Sequence, residues 1–175
     1  MKIVKREIQA LITGYKDLTL EDIILFGMAQ KVRQNAQAPY SHFLVGSAVM
    51  SVSGKIYVGC NVERASWTQT THAEQNAIDN MVANEGATKI KRIAIIGGAD
   101  CVNTTFPPKE ILKQDISFSD IPVPCGHCLQ IIWENCHEDK TIELLSLCGN
   151  GQIARIMIDS AFPLKFGPKN LGVSY

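Results

Sequence analysis

The 175-residue chain has no run approaching the ~20 apolar residues that a helix needs to cross a bilayer. Nor does either charge dominate, because 17 basic and 17 acidic residues leave it formally neutral. A neutral chain exerts no global attraction on phosphate backbones or anionic lipid surfaces, so neither nucleic acid nor membrane is an expected partner. No internal repeat or low-complexity segment appears. The amino terminus, Met1-Lys2-Ile3-Val4-Lys5-Arg6-Glu7, has charges where a secretory signal needs an apolar core, and a cytoplasmic location is the default expectation.

What is present suits one compact domain over residues 1–175: 46% hydrophobic and 19% charged residues can build a core without disulfides. Of the six cysteines, Cys125 and Cys128 share one motif. Cys60, Cys101, Cys136 and Cys148 are scattered among apolar runs and read as buried free thiols.

Periodicity predicts alternating helices and strands. Ile3–Leu11 is a short helix candidate, part of a helical extension over about residues 1–18. Thr19 with Asp22 opens a second helix, strongly apolar through Ile23, Ile24, Phe26, Met28 and Val32, which ends before Pro39. Val45–Val52 and Lys55–Val62 form a hairpin about Ser53-Gly54, and Arg92–Ile96, Ile142–Leu147 and Ile153–Ile158 complete five strands. Helices follow His72 and Cys125, the latter running to about Cys136. The order implies an α/β fold, a three-layer α-β-α sandwich around a mixed five-stranded sheet. Residues 99–123 show no sustained periodicity apart from a short turn at Lys109–Gln114, and form either a solvated loop or a lid.

Two motifs carry chemistry. His72-Ala73-Glu74 follows Thr70 and Thr71, while Cys125-Gly126-His127-Cys128 follows Pro124, so each opens a helix: threonine is a good cap and proline suits the first helical position. Unpaired N–H groups there favour thiolates, poising Cys125 and Cys128 for a metal. His72 with the two cysteines makes a three-ligand zinc site that leaves a fourth position for water, the catalytic rather than the structural pattern. Glu74 is then a general base beside the metal. A redox Cys-x-x-Cys is the structural rival, but it has no use for His72-Ala73-Glu74. His127 between two ligands points away from the metal, and with His42 and His137 belongs to the surface or to the surroundings of the site. Trp133 and Ile132 fit core packing at helical spacing.

His-x-Glu followed by Pro-Cys-x-x-Cys is recognised as the signature of zinc-dependent base deaminases. Together with Pro39-Tyr40-Ser41-His42-Phe43-Leu44-Val45-Gly46, Gly59-Cys60-Asn61-Val62-Glu63 and Phe166-Gly167-Pro168, it makes the chain resemble the cytidine deaminases of free nucleosides from about Pro39 to Leu171. The resemblance implies one Zn²⁺ per subunit on His72, Cys125 and Cys128, with Glu74 as the catalytic residue in hydrolysis of cytidine or deoxycytidine to the uracil nucleoside and ammonia. It also implies sugar contacts from Asn61 and Glu63, base packing from Phe43, and a main-chain contact from Ala73. Trp67 stands near the sugar where a tyrosine is common, and the backbone around Val123 and Pro124 lies near the amine. A dimer or tetramer is implied, with Phe166 able to reach a neighbouring site.

The chain departs from the family in several places. Leu129 replaces an arginine near the thiolates, Arg64 replaces a small polar residue, and residues 99–123 look like an insertion. A modified cytosine nucleoside or nucleoside antibiotic is therefore an alternative substrate. An editor of nucleic acid would need a basic channel, and a non-enzymatic zinc module would have no use for Glu74.

Overall fold

The structure is a computed structural model and describes residues 1–99, 105–109, 111 and 115–173. Its elements are β1 (Leu11–Thr13), α1 (Leu20–Arg33), β2 (Phe43–Ser51), β3 (Ile56–Cys60), α2 (Ala73–Glu85), β4 (Ile90–Ala99), α3 (Gly126–Asn135), β5 (Glu143–Leu147), β6 (Ile153–Met157) and α4 (Ile158–Ala161). The strands form one sheet in the order β1-β6-β5-β4-β2-β3. Only β4 and β5 pair in parallel, so the sheet is mixed.

Side chains alternate between the two faces of the strands, and the alternation sorts the core into layers. Ala48 and Met50 of β2, Ala94 and Ile96 of β4, and Leu145 and Leu147 of β5 face Leu25, Phe26 and Ala29 of α1. Their neighbours Val49, Ile93, Ile95 and Leu144 face the other way, onto Ala77, Ile78 and Met81 of α2 and Leu129, Ile132 and Trp133 of α3. One helix therefore covers one face while α2, α3 and α4 cover the other, which gives the expected three layers.

Helix α1 starts at a reciprocal cap. Thr19 Oγ1 accepts the Asp22 N–H (3.2 Å), and an Asp22 carboxylate oxygen accepts the Thr19 N–H (3.0 Å). The Asp22 carboxylate is fully buried and also takes Arg92 Nη1 at 2.7 Å and Arg155 Nη1 at 3.1 Å, so the helix start is tied to β4 and β6. Burial alone would push this carboxyl up, but the Thr19 hydrogen bonds and the two guanidinium groups outweigh it and hold it below its ordinary value of 3.8. Asp139, bonded to Lys89 and Thr141, is held down to about 2.

Because these folded-state carboxyls are more acidic than their unfolded counterparts, their stabilisation is complete above about pH 4 and is lost as the pH falls toward 2. The thermal midpoint is expected to drop through that window. Asp22→Asn, which leaves two partly buried guanidinium groups short of a counter-charge, should cost about 3 kcal/mol in denaturant unfolding at neutral pH.

The sheet has six strands, not five. The extra one stands in place of the helical extension expected over residues 1–18: residues 1–10 form no helix, Leu11–Thr13 is a strand, and a 3-10 turn at Tyr15–Asp17 follows it. Leu11 pairs with Arg155 and Thr13 with Ile153, while Ala10 and Ile12 pack toward Ile121, Ala154 and Ile156. The β6 edge offers unpaired backbone groups and an apolar shelf, and that tertiary opportunity outweighs a local helical period. Further upstream, Arg6 donates to the carbonyls of Pro163 (2.7 Å) and Asp159 (2.9 Å) and pairs with the Asp159 carboxylate.

Within the 99–123 segment, Phe106 stacks on Phe26 at 4.9 Å and 24°, and its N–H donates to Gln30 Oε1 at 3.2 Å. Ile116 and Ile121 pack at the β6 edge, and a 3-10 turn spans Phe118–Asp120. The described parts are therefore seated on the body, not solvated throughout. The turn expected at Lys109–Gln114 and the thiol of Cys101 fall largely or wholly outside the described residues.

Candidate metal centre and substrate cavity

Helices α2 and α3 begin side by side, and their N-caps are the motif residues themselves. His72 caps α2 (φ −81°, ψ 152°) and Cys125 caps α3 (φ −66°, ψ 166°), and neither side chain makes a capping hydrogen bond. Both are thus available as ligands. The expected threonine cap is displaced: Thr71 exchanges backbone hydrogen bonds with Val62 (2.9 and 3.0 Å), and Pro124 stands one residue before its N-cap.

His72 Nδ1 lies 3.3 Å from Cys125 Sγ and 3.4 Å from Cys128 Sγ. A tetrahedral zinc with Zn–N of ~2.05 Å and Zn–S of ~2.3 Å separates N from S by about 3.6 Å, so the trio fits that geometry. Among the described residues it is the cluster of histidine, cysteine and acidic side chains able to hold a metal ion.

Glu74, 7% exposed, occupies the second position of α2 beside this cluster. Burial pushes the Cys128 thiol far up, and Glu74 and Cys125 add to the effect. A divalent cation inverts that balance by drawing the proton off a coordinating thiol.

The position of α2 depends on a glycine. A Cβ on Gly59 of β3 would stand 2.3 Å from Ala77 N and 2.5 Å from Ala73 O, so the first turn of α2 lies directly on the strand. Asn76 Nδ2 secures the contact by donating to Cys60 O at 3.1 Å. Gly59→Ala forces backbone apart where His72 and Glu74 are set. It is expected to cost about 2 kcal/mol of stability and to weaken zinc affinity, as a chelator competition would read.

A cavity of about 400 Å³ opens beside the trio, lined in part by Phe43, Asn61, Glu63, His72, Ala73 and Glu74. Among the described residues its lining includes two carboxylates and neither lysine nor arginine. Phe43, 45% exposed, lies against Gly97, where a Cβ would meet the ring at 3.0 Å. Asn61 Oδ1 accepts the Val45 N–H (2.8 Å) and its Nδ2 donates to Phe43 O (2.9 Å), which staples the start of β2. Glu63 is buried and accepts from Tyr40 N–H (2.9 Å), Ser41 N–H (3.2 Å) and the Ser41 hydroxyl. These bonds, the Ser41 hydroxyl first among them, hold its carboxyl below the ordinary range against the opposing effect of burial.

Trp67 does not join them. It is 63% exposed, has φ of 55°, and its ring is tilted over Tyr40 at 5.6 Å, outside the cavity lining. The Phe166 ring is exposed as well, while its carbonyl accepts from Gln130 (3.0 Å). His127 stays outside the ligand trio, edge-on to His72 at 5.4 Å and 3.3 Å from Gln75 Oε1. Leu129 is core. Pro122 and Val123 bring the end of the 99–123 segment to the cavity wall. Ser41, Thr70 and Ile95 also line it, and no local pattern assigns them to the cavity, because their convergence depends on a turn, a loop and a strand meeting in space.

An α-β-α sandwich with a His-Cys-Cys trio at two helix starts and a buried glutamate beside it defines an enzyme of the metal-assisted hydrolytic class. The model of the cytidine and deoxycytidylate deaminase zinc-binding region matches residues 21–142, and the chain belongs to that family. It is 29% identical over 147 residues to a cytidine deaminase of Sporosarcina psychrophila, covering 84% of this chain and 92% of that one. A probable cytidine deaminase of Dictyostelium discoideum is 36% identical over 98 residues, 55% of this chain and 65% of the relative. The cytidine deaminase structure from Burkholderia pseudomallei superposes with a TM-score of 0.60 at 26% identity, covering 85% of this chain and all of that one. That from Mycobacterium tuberculosis gives 0.59 at 25%, covering 82% and 95%.

Proposed function

We propose that this enzyme hydrolyses the amino group from cytidine and deoxycytidine, releasing ammonia and the uracil nucleoside, with one Zn²⁺ held by His72, Cys125 and Cys128. The observation that carries this is the buried Glu74 on the cavity wall beside the ligand trio. Bound zinc supplies a nucleophile at neutral pH by lowering the pKa of water to about 7. Glu74 takes one proton of the attacking water and passes it to ring N3, then takes the second from the new C4 hydroxyl and delivers it to the amine, which departs as ammonia as the C4 carbonyl forms. Phe43 packs on the base, and the Ala73 N–H, unpaired in the first turn of α2, donates to the base carbonyl. Asn61 keeps one N–H and one lone pair for a sugar hydroxyl, and Glu63 accepts from another. The geometry favours no substrate contact for Trp67.

A free nucleoside is favoured over a nucleotide because the lining, among the described residues, offers a phosphate two carboxylates and no cation. A role in salvage of free pyrimidine nucleosides, by a dimer or tetramer measurable by light scattering, accompanies this reading. The test is an absorbance assay over cytidine, deoxycytidine, their 3′- and 5′-monophosphates and 5-methylcytidine. Turnover of the two unmodified nucleosides, at a kcat/KM at least about tenfold above the phosphates, is expected. Preference for a monophosphate, or action on the methylated base alone, would overturn the assignment.

A further inference from the structure

We infer that Ser41 is a positioning residue for the sugar-facing carboxylate: it fixes Glu63 on the cavity wall and so sets how strongly the site demands a sugar hydroxyl. The inference rests on the proposed role of Glu63 as acceptor for that hydroxyl. Its own basis is a count of protons and lone pairs.

Glu63 Oε2 accepts two backbone N–H groups, from Tyr40 at 2.9 Å and Ser41 at 3.2 Å, which fills its capacity. Oε1 faces the Ser41 hydroxyl, and the direction of that bond is determined. Ser41 Oγ accepts the Phe43 N–H at 3.0 Å, so its single proton is free to go to Glu63. One lone pair remains on Oε1, and it is the acceptor left for substrate. The two N–H groups thus leave Oε1 as the oxygen presented, and the hydroxyl aims it and links it to Phe43, another residue of the cavity wall.

The frame around this contact is secured by the backbone. Glu63 N–H donates to Gln37 O (2.8 Å), Gln37 Nε2 donates to Glu63 O (3.1 Å), and His42 N–H donates to Ala38 O (3.0 Å). With both backbones held, the free variable is the carboxylate torsion, which Ser41 removes. The charge-assisted bond is also the leading cause that keeps Glu63 below the ordinary carboxylate range.

The experiment compares kcat and KM for cytidine and for 3′-deoxycytidine in zinc-loaded wild type, Ser41→Ala, Ser41→Cys, Ser41→Thr, Glu63→Gln and Ser41→Ala/Glu63→Gln. The preference for cytidine, as a ratio of kcat/KM values, is expected to fall about tenfold in Ser41→Ala. The change should lie in KM for cytidine, with kcat and zinc content retained. Thr keeps the hydroxyl and restores the preference, whereas Cys keeps the volume but is a weak donor and does not. In the Glu63→Gln background the further loss of Ser41 has no effect.

An unchanged ratio in both Ser41→Ala and Ser41→Cys, with Glu63→Gln impaired, overturns the role of Ser41 alone. Additive effects in the double variant do the same, since they show Ser41 acting independently of Glu63. An unchanged ratio in Glu63→Gln overturns the role of Glu63 itself. Should Ser41→Ala fail to fold, the isosteric Ser41→Cys decides the matter.

Discussion

Glu74→Gln is expected to lower kcat for cytidine by about 10³-fold while one zinc per chain is retained. Glutamine keeps the shape and the hydrogen-bonding reach of the side chain but can neither accept nor return a proton. In the proposed mechanism Glu74 works on the reacting atoms while base and sugar are held by other residues, so the loss is expected in kcat and not in KM. Zinc should stay because the ligand atoms are those of His72, Cys125 and Cys128. Steady-state kinetics beside metal analysis checks both halves. Near-normal turnover would mean that another group moves the protons.

The second large effect is expected from Cys128→Ala, which should abolish zinc binding and activity together and lower the thermal midpoint. Cys128 is fully buried where α3 meets α2, and its removal leaves two of the three ligands of the trio. Cys136→Ala is the control. That thiol is equally buried, donates to Trp133 O at 3.2 Å, and is pushed up to about 11, chiefly by burial. It is a small apolar residue in practice. Cys136→Ala should cost stability but leave the zinc stoichiometry at one, so the pair separates ligation from packing. Loss of metal in both variants would point to general unfolding.

Where sequence and structure agree, the determinants are local. β2 and β4 are apolar on both faces, as strands buried between two helical layers must be, and Thr19 with Asp22 three residues on is a complete capping signal within four residues. The metal trio is legible for a different reason. Its chemistry restricts each position to very few residue types, and helix starts hold them at fixed spacing. What stays hidden depends on long-range contacts. Residues Leu11–Thr13 become a strand only because β6 leaves an edge open, and nothing within the first eighteen residues announces that edge.

The start of α2 is shifted from Thr70 and Thr71 to His72 because Thr71 is claimed by Val62. Trp67 illustrates the opposite failure. Its place in the chain suggests the sugar, but the turn before α2 sends its ring to Tyr40. Asn61 and Glu63 do reach the cavity, yet each spends hydrogen bonds on the backbone of residues 40–45, a double duty that spacing alone does not reveal.

One metal ion on His72, Cys125 and Cys128, with Glu74 beside it, is proposed to make this chain a deaminase of free cytidine. Titrating metal-free protein with Zn²⁺ in the presence of cytidine, while following the absorbance change to uridine, tests it most directly. Activity should rise linearly from zero and break at one equivalent, with no such rise in Glu74→Gln. Full turnover before any metal is added, or none after saturation, would contradict it.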